Sequence, residues 1–231
     1  MTDSRKERER AELFRVIWSI ANDLRGSVDG WDFKQYVLGM LFYRYISENL
    51  AVYINEGEQE AGNAGFDYAA LSDAEAEEAR AGLVAAKGFF ILPSELFENV
   101  RRRAVQDENL NETLEAVLRN IEASAQGSPS EEDFKGLFDD IDVNSNRLGG
   151  SVAKRNERLV KLMNGVADMK LGRYQDKVSW RIRLRILPDF LQNRELFFLF
   201  PDPSMYCIQA LKNRTLQLPY PYPVKRLNNR G

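Results

Sequence analysis

The run from Arg25 to Tyr53, RGSVDGWDFKQYVLGMLFYRYISENLAVY, constrains the fold of this chain more than any other stretch. Gly26 can end one helix in a left-handed cap, and Asp29 can N-cap the next, so a helix is predicted to start near Gly30. Two neighbouring stripes at helical spacing cover much of its circumference, and such a helix must be surrounded by other helices. The stripes are Phe33, Tyr36, Val37, Met40 and Leu41, and Leu38, Phe42, Tyr45, Ile46 and Leu50.

Apolar residues at helical spacing predict further helices on either side of this run. One helix is expected at about 11–25. Another is alanine-rich and peripheral: Ser72 and Glu75 form its capping box, and it extends to about Ala86. A short strand is possible at 89–92, where Pro93 ends an apolar run, and Ser94 is the expected N-cap of the next helix. Amphipathic helices are also predicted around Leu110–Ile121, after a Ser130 cap with Phe134, Leu137, Phe138 and Ile141, and over Ser151–Met169.

The composition excludes several classes of site. The chain has a single cysteine, Cys207, and no histidine, so neither a disulfide framework, a zinc site nor a histidine-based nucleophile is expected. The charged start of the sequence differs from an export signal, and no apolar run reaches the roughly 18 residues of a membrane span. A cytoplasmic protein without membrane contact is therefore predicted.

Charge divides the chain near Gly172. Residues 1–172 contain 21 Lys and Arg and 31 Asp and Glu, whereas residues 173–231 contain 11 and 4. The first part therefore has a net charge of −10 and the second +7, and six of the eight prolines follow residue 187. We predict a helical domain over 1–172 and an atypical basic, proline-rich tail over 173–231.

The stretch Ile17–Ser47, IWSIANDLRGSVDGWDFKQYVLGMLFYRYIS, resembles the start of the M subunit of type I restriction-modification methyltransferases. In that family, a helix ending in D-x-L-R-G leads into a helix of the form Y-x-x-x-V-L-G-L-x-F-L-x-Y-I-S. Later blocks are similar too: Phe90–Phe97, Asp133–Asp142 and Val152–Asn156. The resemblance implies an all-α helical bundle that precedes an adenine-methylating domain. It also implies contacts with DNA and with the specificity and restriction subunits of a type I complex.

The family's catalytic motifs are not found in this sequence. Its cofactor S-adenosylmethionine is held by a D-P-x-x-G-S-G-like turn, and its target base by an N-P-P-[FY]-like motif, and neither occurs here. The pair Gly149-Gly150 is interpreted as a loop because no strand precedes it. Asp139, Asp140 and Asp142 lack the spacing of a calcium loop. We therefore predict no catalytic, cofactor-binding or metal-binding residue in this chain.

Two basic clusters are the candidate contacts to DNA phosphates. They comprise Arg101, Arg102 and Arg103 in one, and Lys154, Arg155, Arg158 and Lys161 in the other. The alternative is that each cluster is only a solvated surface.

The tail departs from the family pattern shortly after Arg173, and LPYPYPVKRLNNRG favours an extended chain over a packed element. A change of reading frame near residue 177 is one explanation, and a divergent but functional basic tail is the other. Two functions stay open at this point. The chain is either the N-terminal part of a type I DNA adenine-N6 methyltransferase subunit without its catalytic domain, or a stand-alone helical interaction module.

Overall fold

A computed structural model describes residues 30–169 and three isolated upstream positions, Arg15, Ser19 and Asn22, which are helical and exposed. Apart from those positions, the predicted helix at 11–25 lies outside the described residues. So does the predicted tail at 173–231.

Seven α-helices and two short 3₁₀ turns make up the described part of the chain, which contains no strand and so confirms the predicted all-α fold. The turns are Tyr68–Ala70 and Pro93–Glu95. The helices are α1 (Gly30–Glu60), α2 (Asp73–Glu78), α3 (Arg80–Lys87), α4 (Phe97–Arg103), α5 (Leu110–Ser124), α6 (Glu131–Phe134) and α7 (Val152–Asp168).

Helix α1 lies at the centre and packs chiefly against α7 and α4. Its predicted core residues Tyr36, Val37, Met40, Leu41 and Ile46 are all at most 3% exposed, as expected. Two residues that the stripes left out, Tyr43 and Ser47, are equally buried.

The polar sequence NEGEQEAGNAG after Tyr53 predicts a loop, but the structure differs. The helix continues to Glu60 because glutamate and glutamine support a helix even without burial. It stops at Gly62, whose φ of +100° is the left-handed conformation of a helix C-cap. The N–H of Gly62 donates to the carbonyl of Gln59 at 3.1 Å, and that of Asn63 to Glu58 at 2.9 Å, completing a Schellman motif.

The predicted capping box forms at the start of α2, where Ser72 and Glu75 satisfy each other's backbone N–H groups. The expected single helix is divided at Ala79 into α2 and α3. Both are peripheral as predicted, since α2 buries only Ala76 and α3 buries no residue.

Residues 89–92 do not form the strand that the sequence allowed. This extended segment buries Phe89, Phe90 and Ile91 and leaves Leu92 partly exposed, and no strand exists in residues 30–169 to pair with it. Side chains bind their backbone instead. The hydroxyl oxygen of Ser124 accepts from the N–H of Phe90 at 2.9 Å, and the Tyr68 hydroxyl donates to the carbonyl of Ile91 at 2.7 Å. Backbone groups in this core are thereby satisfied without a ladder.

Ser94 is not the N-cap of the following helix, which corrects another prediction. Its N–H and its hydroxyl both donate to Asp73, at 2.9 and 2.6 Å, and Leu96 occupies the N-cap position of α4. Ser94 is therefore used to join the Pro93–Glu95 turn to α2.

Helices α5 and α7 follow the predicted patterns, and the Ser151 hydroxyl oxygen caps α7 by accepting from the N–H of Lys154. The helix expected after Ser130 is much shorter than predicted, and Ser130 makes no side-chain cap. It ends at Phe134 because Gly136 adopts a φ of +66°, which turns the chain out of the helix. Phe138 lies in the turns that follow α6 and is nonetheless buried.

Candidate nucleic-acid interface

Charge is distributed very unevenly over the described helices. Residues 30–151 contain 10 Lys and Arg and 23 Asp and Glu, a net charge of −13, whereas α7 contains four and two, a net charge of +2. Duplex DNA attracts positive and repels negative surfaces. Helices α3 and α4 also have a net charge of +2 each, but α7 contains the most Lys and Arg and two exposed lysines, so it is the helix of this domain best suited to face a polyanion.

Three cations follow one another along α7, which we call the α7 strip: Lys154, Arg158 and Lys161. Their spacings of four and three residues place them on one side of the helix. Lys154 is exposed, and the Lys161 side chain is 45% exposed and forms an ion pair with Glu157 at 2.8 Å. Two lysine side chains on one helix face can thus meet adjacent phosphates.

The pKa of Glu157 is shifted by the positive charges of this strip. Its pKa is held below the ordinary value, first by the hydrogen bond from Lys161 and then by the positive charges of Lys161, Arg158 and Lys154. The single carboxylate of Glu157 therefore interacts with all three cations of the strip. Three positive charges and one negative charge leave an excess of positive charge there.

Arg155, a predicted phosphate contact, is half-buried. Its Nη1 donates to the carbonyl of Gly149 at 3.1 Å, and its Nε is enclosed with no hydrogen-bond partner among the described residues. Arg158 similarly donates to the carbonyl of Leu148. Both guanidinium groups therefore hold the loop that enters α7.

Gly149 is required for the close approach of that loop to the helix. A β-carbon at this position would lie 2.8 Å from Cβ of Lys154 and 3.0 Å from the N atom of Arg155. The predicted loop at Gly149-Gly150 is confirmed, since no strand precedes the pair within residues 30–148. The glycine serves packing against the first turn of α7.

An asparagine network, which the sequence did not reveal, anchors the same loop from the other side. Asn111, 3% exposed, donates from its side chain to Oδ1 of Asn144, whose amide donates to Glu115 at 2.6 Å. Asn156 of α7 accepts from the Asn111 N–H at 3.1 Å and donates to the Glu108 carbonyl at 2.7 Å. The bonded asparagines lie 33 and 45 residues apart in sequence, so local spacing gives no signal for the network.

The cluster Arg101, Arg102 and Arg103 is largely neutralised or used inside the fold. Glu98 pairs with Arg101 at 2.7 Å and with Arg102 at 3.1 Å. Arg103 donates to the carbonyl of Ser94 at 2.7 Å, as part of the network around the extended segment. Arg102 is the most exposed of the three, with 69% of its side chain accessible.

The first basic cluster contacts the helix that carries the second. Nη1 of Arg101 donates to Oδ1 of Asn164, one turn beyond Lys161 on α7, at 3.0 Å. This hydrogen bond places the basic end of α4 beside the α7 strip. Of the seven predicted phosphate contacts, Lys154, Lys161 and Arg102 are exposed. The other four bind groups within the domain: Arg101, Arg103, Arg155 and Arg158.

A cleft of about 240 Å³ lies beside the extended segment, below the roughly 300–1,000 Å³ of typical ligand sites. Arg80 crosses it, with its guanidinium 4.3 Å from the Phe90 ring centre and bound to Glu77. Over residues 30–169 there is also no group of three or more metal-binding side chains and no helix long and apolar enough to cross a membrane.

These features define the class as an all-α bundle domain whose acidic body carries a few basic helices, α7 among them. Residues 13–166 match the family described as the HsdM N-terminal domain, and the chain belongs to that family. The predicted resemblance is thereby confirmed.

Two relatives extend this result. The chain is 41% identical over 180 residues to the type I restriction enzyme MpnII methylase subunit of Mycoplasma pneumoniae, an alignment covering 75% of this chain and 33% of that protein. The crystal structure of a type I restriction-modification methyltransferase subunit from Streptococcus thermophilus shares the fold, with a TM-score of 0.64. That match has 23% identity and covers 79% of this chain and 39% of the other. The chain spans about a third of the length of the curated relative it matches.

Proposed function

We propose that this domain contributes subunit assembly and DNA-backbone contact to a type I restriction-modification methyltransferase. Its partners are the specificity and restriction subunits of the complex, in the cytoplasm. Transfer of a methyl group from S-adenosylmethionine to N6 of adenine belongs to a catalytic domain outside the helical bundle. In this assignment the bundle itself performs no chemistry.

The observation that supports the DNA-contacting role is the α7 strip. A domain whose residues 30–151 have a net charge of −13 would be repelled by DNA over most of its surface. The exposed lysines of α7 then favour one face of the domain for contact with DNA. The loop contacts of Arg155 and Arg158 hold the start of α7 against the bundle, so Lys154 projects from a fixed backbone.

Contacts of this kind are nonspecific in sequence and sensitive to salt. Each neutralised phosphate releases counterions, so affinity falls as salt rises, with a slope set by the number of phosphates bound. The strip should therefore add affinity and orientation to the complex, while base recognition depends on other parts of the assembly.

The experiment compares two charge-matched double variants in the complex with the specificity subunit. Lys154→Ala with Lys161→Ala removes two cations from the strip, and Arg119→Ala with Lys135→Ala removes two exposed cations elsewhere. Binding of duplex DNA is measured by fluorescence anisotropy at several salt concentrations. The strip variant should weaken binding to all sequences and lower the salt slope by about two, one for each phosphate that is no longer neutralised.

Equal salt slopes of DNA binding for the two double variants would contradict the proposed DNA contact.

Assembly is tested separately, by native mass spectrometry of the chain co-expressed with the specificity subunit. Both double variants should still assemble, since neither pair of cations lies in the core. If the unmodified chain binds no other subunit of its system, the stand-alone interaction module becomes the better assignment.

A further inference from the structure

The cleft beside the extended segment, which we call the Glu95 cleft, has no part in the proposed DNA contact. Its volume of about 240 Å³ is less than that of typical ligand sites and leaves room for one side chain of another protein. Asn120 and Ala123 in its wall are exposed, so the cleft opens at the surface. Arg80, Phe90 and Glu95 also line it.

Arg80 is the one cation in the wall of the cleft, and its charge is already paired. Its Nε and Nη2 donate to the two carboxylate oxygens of Glu77, at 2.5 and 2.9 Å. Its guanidinium also lies over the ring of Phe90, 4.3 Å from the ring centre. Arg80 therefore forms one side of the cleft, and within residues 30–169 it makes no ion pair with Glu95.

Glu95 brings a negative charge into the cleft with only a neutral side chain bound to it. Its Oε1 accepts from the amide of Asn120 at 2.5 Å. Burial raises the pKa of Glu95 against that hydrogen bond, and the negative charge of Asp73 adds to the rise while Arg80 opposes it. An ionised carboxylate held away from water without a cation costs free energy. A cation that enters the cleft would remove this cost.

The fold does not require a carboxylate at position 95. A glutamine side chain would still accept from Asn120 and would bury no charge. The contact of Glu95 with α1 uses its backbone carbonyl, which accepts from the Tyr43 hydroxyl at 2.5 Å and is the same for any residue. A charge that costs stability and has no structural use is typical of a residue kept for binding.

We propose that the Glu95 cleft binds one lysine or arginine side chain of another protein subunit, whose cation pairs with the carboxylate of Glu95. This inference rests on the assembly role proposed above, and it adds the place and the charge of one contact. Both side chains carry several donors, and the side-chain oxygen of Asn120 at the mouth of the cleft supplies a second acceptor. The net charge of −13 over residues 30–151 also favours the approach of a basic partner surface.

The first test uses the full chain and short peptides with blocked ends. The carboxyl group of Glu95 is titrated by ¹³C NMR with millimolar Gly-Arg-Gly, Gly-Lys-Gly or neutral Gly-Gln-Gly. A cationic peptide should lower the pKa of Glu95, and the neutral peptide should leave it unchanged. The nearby hydroxyls of Tyr43 and Tyr68 stay protonated throughout, because burial raises the pKa of both. If neither cationic peptide shifts the pKa of Glu95, the proposal is overturned.

The second test measures the affinity of the full chain for the specificity and restriction subunits by surface plasmon resonance. Glu95→Gln removes the charge, and Ala123→Trp fills the mouth of the cleft. Each should weaken the binding of the subunit that supplies the cation roughly tenfold or more. Affinity of the parent should rise with pH as Glu95 ionises, and that of Glu95→Gln should not, a difference that a merely structural role would not produce.

Two matched controls have the same chemistry outside the cleft. Glu132→Gln removes an exposed carboxylate, and Ala116→Trp enlarges an exposed alanine two turns away on α5. Both should bind the subunits like the parent. Equal losses in Ala116→Trp and Ala123→Trp would overturn the proposal, since a general disturbance of α5 would then explain them.

Unchanged affinity of both cleft variants for both subunits would overturn the proposed contact and leave the assembly role intact. If the parent binds neither subunit, the assembly role fails, and the peptide titration alone decides whether the cleft accepts a cationic side chain. Neither test uses DNA, so failure here is also separate from failure of the proposed DNA contact.

Discussion

Gly39 of α1 lies directly against Ile141: a β-carbon built at Gly39 would fall 1.7 Å from Cδ1 and 2.6 Å from Cγ1 of that side chain. Glycine inside a helix ordinarily weakens it by roughly 1 kcal/mol relative to alanine. Here the missing side chain lets the loop after Phe138 pack onto the central helix. Space, and not backbone conformation, explains the glycine.

Gly39→Ala is therefore expected to destabilise the domain by about 1–3 kcal/mol through overpacking, despite its better helix propensity. Chemical denaturation followed by circular dichroism measures the change. Ile141→Ala removes Cδ1 and Cγ1 and leaves a β-carbon 4.0 Å away, so the double variant should lose less stability than the sum of the single variants. Additive losses would show that the loop is not held by this packing.

Met40→Asp tests the centre of the fold. Met40 is 0% exposed, so the substitution buries an unpaired carboxylate and should cost roughly 3–5 kcal/mol. Val105→Asp is the control, since the Val105 side chain is 76% exposed and should tolerate the charge. A Met40→Asp variant that melts like the parent would mean that α1 lies at the surface.

Glu95 gives a prediction about pH. Burial raises its pKa above the ordinary value, against the opposing hydrogen bond that its side chain accepts from Asn120. A carboxyl group whose pKa is raised on folding contributes stability below its unfolded pKa and loses it as pH rises through the folded pKa. Glu95→Gln should therefore be more stable than the parent at neutral pH, with no gain below the ordinary glutamate pKa.

Glu98→Gln is the control of opposite sign. The hydrogen bond from Arg101 lowers the pKa of Glu98, so its contribution is present above the unfolded pKa and lost as pH falls through the folded pKa. This variant should be less stable than the parent at neutral pH, and the difference should shrink in acid. Urea midpoints of the three proteins across pH measure both effects. The pH argument for Glu95 fails if Glu95→Gln and Glu98→Gln shift in the same direction.

Residue spacing predicted the elements whose stability is local or amphipathic. The burial of Met40, the Ser72 capping box and the Leu159, Leu162, Met163 and Val166 face of α7 all follow from residues within one or two turns. The C-terminal ends of α1 and α6 were not predicted from spacing. Helix propensity after Tyr53 extends α1, and the positive φ of Gly136 ends α6 early.

Roles set by distant backbone groups could not be predicted in this way. The Tyr43 hydroxyl donates to the carbonyl of Glu95 at 2.5 Å, and the hydroxyl oxygen of Ser47 accepts from the N–H of Phe97 at 3.2 Å. Both hydrogen bonds join residues about fifty positions apart. In each, a side chain satisfies a backbone group that no strand pairs. Arg103 and Arg155 were likewise predicted as surface charges. Their partners are backbone carbonyl groups, which every residue has and which the sequence therefore does not mark.

Cofactor binding is a separate prediction. Neither the family's glycine-rich turn nor its N-P-P-[FY]-like motif occurs in the sequence, and Gly149 packs against the start of α7. Titration calorimetry of the chain with S-adenosylmethionine should therefore give no saturable heat, with a full-length type I methylase subunit as positive control. A micromolar isotherm from this chain would contradict this prediction.

Deletion of residues 177–231 is expected to leave a folded, helical and more soluble domain. The buried hydrophobic residues of the described part all lie between Tyr36 and Met169, so the cut leaves that core intact. The removed sequence is rich in Phe, Tyr and Leu without a helical period and is interrupted by proline, a composition that favours aggregation over an independent core.

Two deletions distinguish the possibilities in thermal and urea unfolding. Removal of 177–231 should preserve a single cooperative transition and the helical circular dichroism of the parent. Removal of 160–231 should abolish that transition, because it also deletes Leu162, Met163 and Val166, which are all fully buried. If the shorter deletion already loses cooperativity, the basic tail completes the fold, and the division of the chain near residue 172 is wrong.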